Sequence, residues 1–159
     1  MEQVEKNQEE IVEQEVVDNE DLKEYTRSLL GMRPFEKTYT GLGGDLSITF
    51  RTLMVDEAEN ASQAVEREMR SKGKDTLSPE DKADIIIKAR VCCLLKDLTI
   101  NGEKIDFSIP EGEWMPSIEY VKRFGSKYPD SLLFPIIRSL GSFENLTKDL
   151  SMRISSDFV

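Results

Sequence analysis

The chain has 159 residues, a formal charge of −10, two cysteines and no histidine. The length suits one domain with its own hydrophobic core. Without histidine, catalytic triads and zinc sites that need an imidazole are excluded, and two thiols are too few for a four-cysteine zinc site. No stretch is apolar enough for a membrane span, and the acidic N-terminus does not look like a signal peptide. We therefore expect a cytoplasmic, non-enzymatic protein without a metal or cofactor.

The negative charge is concentrated at the N-terminus. Residues 1–24 carry ten acids and two bases, a charge of −8, whereas the other 135 residues carry 21 acids and 19 bases, a charge of −2. Few large apolar side chains interrupt the acids, so we predict a flexible acidic arm over 1–20 and a single, mainly helical domain over 21–159. A nearly neutral body does not favour nucleic-acid binding, and a loose arm does not hold carboxylates at the spacing of a DNA mimic.

The first predicted helix runs from Asp18 to Leu30. It is ended by Gly31 and Pro34. Its apolar side chains recur at helical spacing, which is the periodicity of an α-helix. These side chains are Leu22, Tyr25, Leu29 and Leu30.

A glycine-rich segment follows this helix. Residues 35–50 alternate between apolar and polar types on both sides of the glycines, which predicts a β-hairpin. A phosphate-binding loop would require Gly-Lys followed by Ser or Thr at the start of a helix, but here Asp45 and a strand follow. Gly41, Gly43 and Gly44 are therefore interpreted as turn residues.

Two helices are predicted next, over 55–69 and from Ser78 onward. The second has Ser78 as its cap and Pro79 at its first position, and its centre is apolar almost all round, so we expect it to be a core element. Cys92 and Cys93 are then buried apolar residues rather than reactive thiols. The bases near the end of the first helix alternate with acids, so they are interpreted as a solvated helix face. These bases are Arg67, Arg70, Lys72 and Lys74.

The C-terminal third begins with a second hairpin. Asn101-Gly102 lies between alternating apolar residues, which is a strong hairpin signal, and the predicted hairpin runs from Leu98 to Phe107. A short helix is predicted to begin after Ser117 and to end before Pro129.

The last predicted helix starts near Asp130, because that start places Pro135 in the first turn. Apolar residues recur along it at three- and four-residue spacing as far as Leu150. The predicted fold class is α+β and mainly helical, with four to five helices, one or two small β-hairpins and the disordered acidic arm.

Candidate partner contacts come from apolar side chains that we expect to be exposed. Two lie in a loop flanked by proline and glycine, and two lie on the last helix. They are Trp114, Met115, Phe143 and Leu146. The alternative for Trp114 is that its side chain packs over the core and is not exposed.

A carboxylate-based enzyme is the alternative to an interaction protein. Two pairs of acids have a sensible spacing for acid–base or metal chemistry, Asp81 with Asp84 and Glu111 with Glu113. One pair lies in the first turn of a predicted helix and the other in a loop. A pair of carboxylates can serve in acid–base or metal chemistry only when it is buried in a cleft. Both pairs are therefore interpreted as surface features.

One segment resembles a known family. From Phe35 it contains an extended stretch, the glycine-rich turn, a strand ending in Phe50-Arg51-Thr52-Leu53 and an acidic helix start at Glu57. This arrangement resembles the N-terminal part of tailed-bacteriophage tail assembly chaperones. The resemblance implies a protein of the bacterial host cytoplasm that binds the tape-measure protein, or another tail protein, during tail assembly.

The alternative within phage morphogenesis is a structural virion component of the tail, the baseplate or the head–tail junction. The two differ in whether the mature particle contains the protein. No nucleic-acid or membrane partner is expected in either case, and a homo-oligomer is possible.

Overall fold

The computed structural model of the chain describes residues 19–105 and 130–158. These residues form four α-helices and one four-stranded antiparallel sheet, which confirms the predicted, mainly helical α+β class. The elements in chain order are α1 (19–30), β1 (Glu36–Gly41), β2 (Leu46–Arg51), α2 (Val55–Ser71), α3 (Pro79–Leu94), β3 (Leu95–Ile100), β4 (Glu103–Lys104) and α4 (Leu133–Ser156). Residues 1–18 of the predicted arm and the predicted helix after Ser117 lie outside the described residues, whereas residues 19 and 20 already belong to α1.

Close contacts divide the chain into two compact units. Unit 1 combines Met1–Phe35 with Glu144–Val159, and unit 2 is Glu36–Phe143. Helix α4 therefore contributes its first part to unit 2 and its last part to unit 1. The single domain over 21–159 stays a prediction, because a division by contacts does not test whether the units fold independently.

The sheet of unit 2 joins the two predicted hairpins. Its strand order is β1-β2-β3-β4, and β2 pairs with β3 so that Ile48 opposes Leu98. This pairing brings together segments that α2 and α3 separate in the sequence, and no local pattern predicts it. Strand β3 begins at Leu95, directly after α3, rather than at the predicted Leu98, and the last two residues of the predicted hairpin, 106–107, lie outside the described residues.

Both predicted hairpin turns are confirmed, but Gly41, predicted as a turn residue, is the last residue of β1 and pairs with Leu46. Asn101 and Gly102 have φ angles of 52° and 78°, the left-handed values that a two-residue type I′ turn requires. In the first hairpin the residues with left-handed backbone are Leu42, Gly43 and Gly44, with φ angles of 54°, 67° and 94°. A leucine in this conformation is unusual, because its Cβ crowds the following carbonyl oxygen.

The core of unit 2 lies on one face of the sheet. Strand β2 buries Leu46, Ile48 and Phe50, the alternate positions of its pattern. Phe50 stacks on Phe143 of α4 with ring centroids 5.7 Å apart, and Tyr39 meets Phe50 edge-on at 6.3 Å. Aromatic contacts of this kind anchor the first part of α4 within unit 2.

Helices α2 and α3 pack against each other through a small cluster of their own, formed by Met69, Ile85 and Ala89. The predicted cap of α3 is confirmed, because the Ser78 hydroxyl accepts a hydrogen bond from the Asp81 N–H at 3.1 Å. An N-cap of this kind satisfies one of the free N–H groups at a helix start.

In unit 1 the described residues are α1, the segment after it and the last part of α4. The Tyr25 and Ser151 hydroxyls are 2.7 Å apart, and the Tyr25 ring meets Phe35 edge-on at 5.4 Å. Leu150 is fully buried.

The predicted start of the last helix is confirmed as well, since a 3₁₀ turn at Asp130–Leu132 precedes α4 and places Pro135 in its first turn.

Candidate protein-binding surface

The motif that carries the family resemblance contains an ion pair. Arg51, at the end of β2, donates from Nη1 to Glu57 Oε1 at 3.3 Å and from Nη2 to Oε2. The two side chains are only 25% and 22% exposed. The hydrogen bonds from Arg51 hold the pKa of Glu57 below its ordinary value, although desolvation partly opposes them. The pair fixes the end of a strand to the first turn of α2.

A buried thiol lies in the electrostatic field of this pair. Burial raises the pKa of Cys93 to about 11; the positive charge of Arg51 opposes this effect and the negative charge of Glu57 adds to it. Since the nucleophile is the thiolate, a thiol with this pKa is inert at neutral pH. Cys92 is buried as well, so the predicted burial of both cysteines is confirmed. In this structure the motif thus joins a strand to a helix.

The acidic pair of α3 is solvent-exposed. Asp81 lies in the first turn, and Asp84 forms an ion pair with Lys88 at 2.8 Å. Glu111 and Glu113 lie outside the described residues. Across 19–105 and 130–158, no group of three or more Cys, Asp or Glu side chains is arranged to hold a metal ion.

The basic residues at the end of α2 are paired with acids. The ion pairs are Arg70–Glu66 at 3.4 Å, Lys72–Glu68 at 3.1 Å and Lys74–Glu66 at 2.7 Å. All four bases are solvent-exposed, as predicted, but only Arg67 and Arg70 lie on α2, because Lys72 and Lys74 follow its last residue, Ser71.

The four predicted contact residues have different surroundings. Trp114 and Met115 lie outside the described residues. Phe143 is 1% exposed and stacks in the core, so the exposure on which its prediction depended is wrong. The reason is that α4 turns this position toward Phe50 rather than toward solvent. Leu146 is half-buried, and its role in binding stays a prediction.

Helix α1 buries polar residues and exposes apolar ones. Asp21 and Ser28 are buried, whereas Leu29 is half-exposed and Leu30 is 82% exposed. Positions 21, 25 and 28 share one helical face, so the buried face carries Asp, Tyr and Ser. Leu22 is half-buried like Tyr25, whereas Leu29 and Leu30 at the end of the helix are exposed.

The buried polar groups of α1 are satisfied. The Ser28 hydroxyl donates to the Tyr25 carbonyl oxygen at 2.7 Å. No buried side-chain nitrogen or oxygen within the described ranges lacks a hydrogen-bond partner. Burial of this polar face therefore leaves no side-chain hydrogen bond unmade, since each buried polar side chain of α1 retains a partner.

The C-terminal end of α1 holds a methionine in an unfavourable conformation. The N–H of Arg33 donates to the Ser28 carbonyl at 3.0 Å and that of Met32 to the Leu29 carbonyl at 3.2 Å, which is the Schellman arrangement. Met32 has a φ angle of 51° and occupies the position that usually holds glycine. A left-handed backbone costs a non-glycine residue about 1–2 kcal/mol. Because the Met32 side chain is 84% exposed, its packing offsets little of that cost.

Leu29, Leu30 and Met32 together are called the α1-end surface. They place three exposed apolar side chains within four positions of the chain. The other large apolar side chains of the described residues that are more than 60% exposed are separated along the sequence: Leu42, Val55, Phe134, Met152 and Phe158. Sequence reasoning missed Met32; the available signal was an apolar run that continues past the end of the helix.

Comparison of the chain with protein-family models, with curated proteins and with solved structures gave no match. None of the helices within the described residues is both long and apolar enough to cross a membrane. The α1-end surface and the resemblance of residues 35–58 are the two bases for inferring function.

Proposed function

We propose that this chain is a non-enzymatic phage tail assembly chaperone that binds an apolar helical segment of the tape-measure protein through the α1-end surface. The observation that carries the proposal is the orientation of α1, which buries Asp21 and Ser28 while it exposes Leu29, Leu30 and Met32. Removing a leucine or methionine side chain from water stabilises an interface by about 1.5–3 kcal/mol. A partner that covers these three side chains would gain this hydrophobic free energy on binding.

The backbone at Met32 supports a binding role. Strained residues persist where the surrounding structure holds them, and they cluster at binding and catalytic sites. Glycine at this position would relieve the strain but would present no side chain. An exposed methionine is also well suited to contact, because its flexible thioether adapts to irregular apolar surfaces.

The resemblance of residues 35–58 to tail assembly chaperones is the support for the tape-measure protein as the partner. A long amphipathic helix presents an apolar stripe that a surface of leucine and methionine side chains can cover. Many copies bound along one long chain would gain avidity from individually weak contacts. Weak single contacts also suit a chaperone that must leave while the tail tube forms. The excess of acids would keep such a complex soluble.

The test is purification of the full chain, with its natural partners, from cells in which particles assemble. Mass spectrometry then identifies the proteins that co-elute, and finished virions are analysed separately. We expect a long helical tape-measure protein in the complex and none of this chain in virions. A fixed copy number of the chain in virions would contradict the proposal and favour a structural tail, baseplate or head–tail component. Co-elution without any tail protein would overturn both assignments.

A further inference from the structure

The turn between β3 and β4 consists of two residues that can react with each other, Asn101 and Gly102. The backbone nitrogen of Gly102 can attack the side-chain carbonyl carbon of Asn101. The C–N bond of the side-chain amide then breaks, ammonia leaves with the proton of the Gly102 N–H, and a five-membered cyclic imide remains. Water opens this imide at either carbonyl, which gives aspartate or isoaspartate at position 101. In a folded protein the backbone conformation of the two residues decides whether the ring can close.

Both residues of the turn are open to solvent. Asn101 and Gly102 are exposed, and a Cβ atom at Gly102 would meet nothing within 4 Å. A side chain on the attacking residue would crowd the approach of its nitrogen to the Asn101 side chain, and glycine has none. The water that opens the imide therefore has direct access to the turn.

The left-handed backbone of Asn101 fits the imide. Because the ring includes the Cα–C bond of Asn101, it fixes ψ of this residue at about −120°, the value at the first central position of a type II′ turn. The φ angle of Asn101 is 52°, which types I′ and II′ share at this position. A flip of the one peptide between Asn101 and Gly102 thus converts the observed turn into the turn that the imide requires. Gly102 accepts the φ angle of either turn because it lacks a Cβ atom.

The hydrogen bonds that hold the turn do not involve this peptide. The N–H of Asn101 donates to the Asp45 carbonyl oxygen at 2.8 Å, and the N–H of Ile105 donates to the Leu98 carbonyl oxygen at 2.8 Å. The flip moves the Asn101 carbonyl and the Gly102 N–H, so it breaks neither bond. Type II′ turns also match the twist of a two-residue hairpin. We propose that Asn101 is a site of spontaneous deamidation in the folded protein, through an imide that the β3–β4 hairpin accommodates as a type II′ turn.

The two products differ in their effect on the hairpin. Aspartate keeps the backbone and adds a negative charge, whereas isoaspartate routes the backbone through the former side chain and inserts a CH₂ group into the two-residue turn. Strand β4 contains only Glu103–Lys104, so little pairing resists a change of register. We expect isoaspartate to increase hydrogen exchange of the Ile105 amide, which bonds to Leu98.

The test compares deamidation in the folded and the unfolded chain. The full chain is incubated at mildly alkaline pH with and without guanidinium chloride, and peptide mass spectrometry follows the replacement of amide nitrogen by oxygen at each asparagine. The ratio of the two rates removes the influence of the neighbouring residue and reports the effect of the fold. Asn60 in α2 and Asn145 in α4 are the matched controls, because a helix fixes their ψ angles far from the imide value.

We expect folding to slow the reaction of Asn101 by less than about ten-fold and that of the two helical asparagines by more, because their helical hydrogen bonds must break first. Slowing of Asn101 as large as that of Asn60 and Asn145 would overturn the proposal. The variant Asn101→Asp separates charge from backbone length, since it adds the charge without the CH₂ group. It should retain the protection of the Ile105 amide that the aged chain loses, and an equal loss would overturn the effect assigned to isoaspartate.

Discussion

Replacing Met32 by glycine is expected to make the protein more stable. Met32 has a φ angle of 51° at the end of α1 and is 84% exposed. Glycine removes about 1–2 kcal/mol of left-handed strain but gives back about 0.4–1 kcal/mol through the greater freedom of the unfolded chain. The expected net gain is about 0.5–1 kcal/mol in the free energy of unfolding. For a chain of this size the midpoint of thermal unfolding should rise by about 1–4 °C.

Urea unfolding followed by circular dichroism measures the change, and Met32→Ala is its control. Alanine removes the exposed side chain but keeps the Cβ atom that crowds the backbone, so it should not gain this stability. Both variants should bind the partner less well, because both lose the thioether. If glycine and alanine give equal stabilities, the reasoning from backbone strain is wrong.

Three further predictions concern the ion pair, the thiols and the cap of α3. Glu57→Gln should lower the free energy of unfolding, measured in urea at neutral pH, by about 1.5–3 kcal/mol. Because Arg51 lowers the pKa of Glu57 in the folded protein, this loss should be complete above the unfolded-state pKa and should disappear as the pH falls through the folded-state pKa. A difference that persists in acid would contradict it. Burial raises the pKa of Cys93 to about 11, and Cys92 is buried as well, so a thiol reagent should modify neither cysteine in the native protein at neutral pH. It should modify both in denaturant. Modification of either cysteine in the native protein would refute their burial. Ser78→Ala should lower the free energy of unfolding by about 1 kcal/mol and Ser78→Asp should not, whereas equal losses would exclude capping as the cause.

Local chemistry explains which parts of the fold could be predicted. Asn101-Gly102 specifies its turn because both residues tolerate a left-handed backbone, and Ser78 specifies a helix start because its hydroxyl replaces a missing acceptor. Pro135 fixes the start of α4, since it is tolerated only in the first turn. Each signal depends on neighbours within a few residues, so no knowledge of the folded chain is needed.

The parts that sequence reasoning missed depend on distant contacts. Nothing near Ile48 indicates that it will oppose Leu98, because α2 and α3 lie between the two strands. The burial of Phe143 depends in the same way on Phe50. Periodicity predicts that a helix has an apolar stripe, but the identity of the element that covers it is a property of the whole fold.

The end of α1 departs from the usual distribution of apolar residues. Apolar side chains usually face the core, but Leu29 and Leu30 are exposed. The structure instead buries Asp21 and Ser28, with their hydrogen bonds satisfied. Conflicts between a local rule and the fold are expected at functional sites, where selection for binding competes with selection for stability.

The proposed role of the α1-end surface is tested by the affinity of the purified chain for the purified tape-measure protein, measured by titration calorimetry. Leu30→Lys places a charge in the α1-end surface, and Val55→Glu is the control at an apolar residue that is 88% exposed elsewhere. Each new charge has the sign that its helix terminus favours, so both variants should fold. We expect Leu30→Lys to weaken binding at least about ten-fold and Val55→Glu to leave it unchanged. Unchanged affinity of the Leu30→Lys variant would contradict the assignment of this surface.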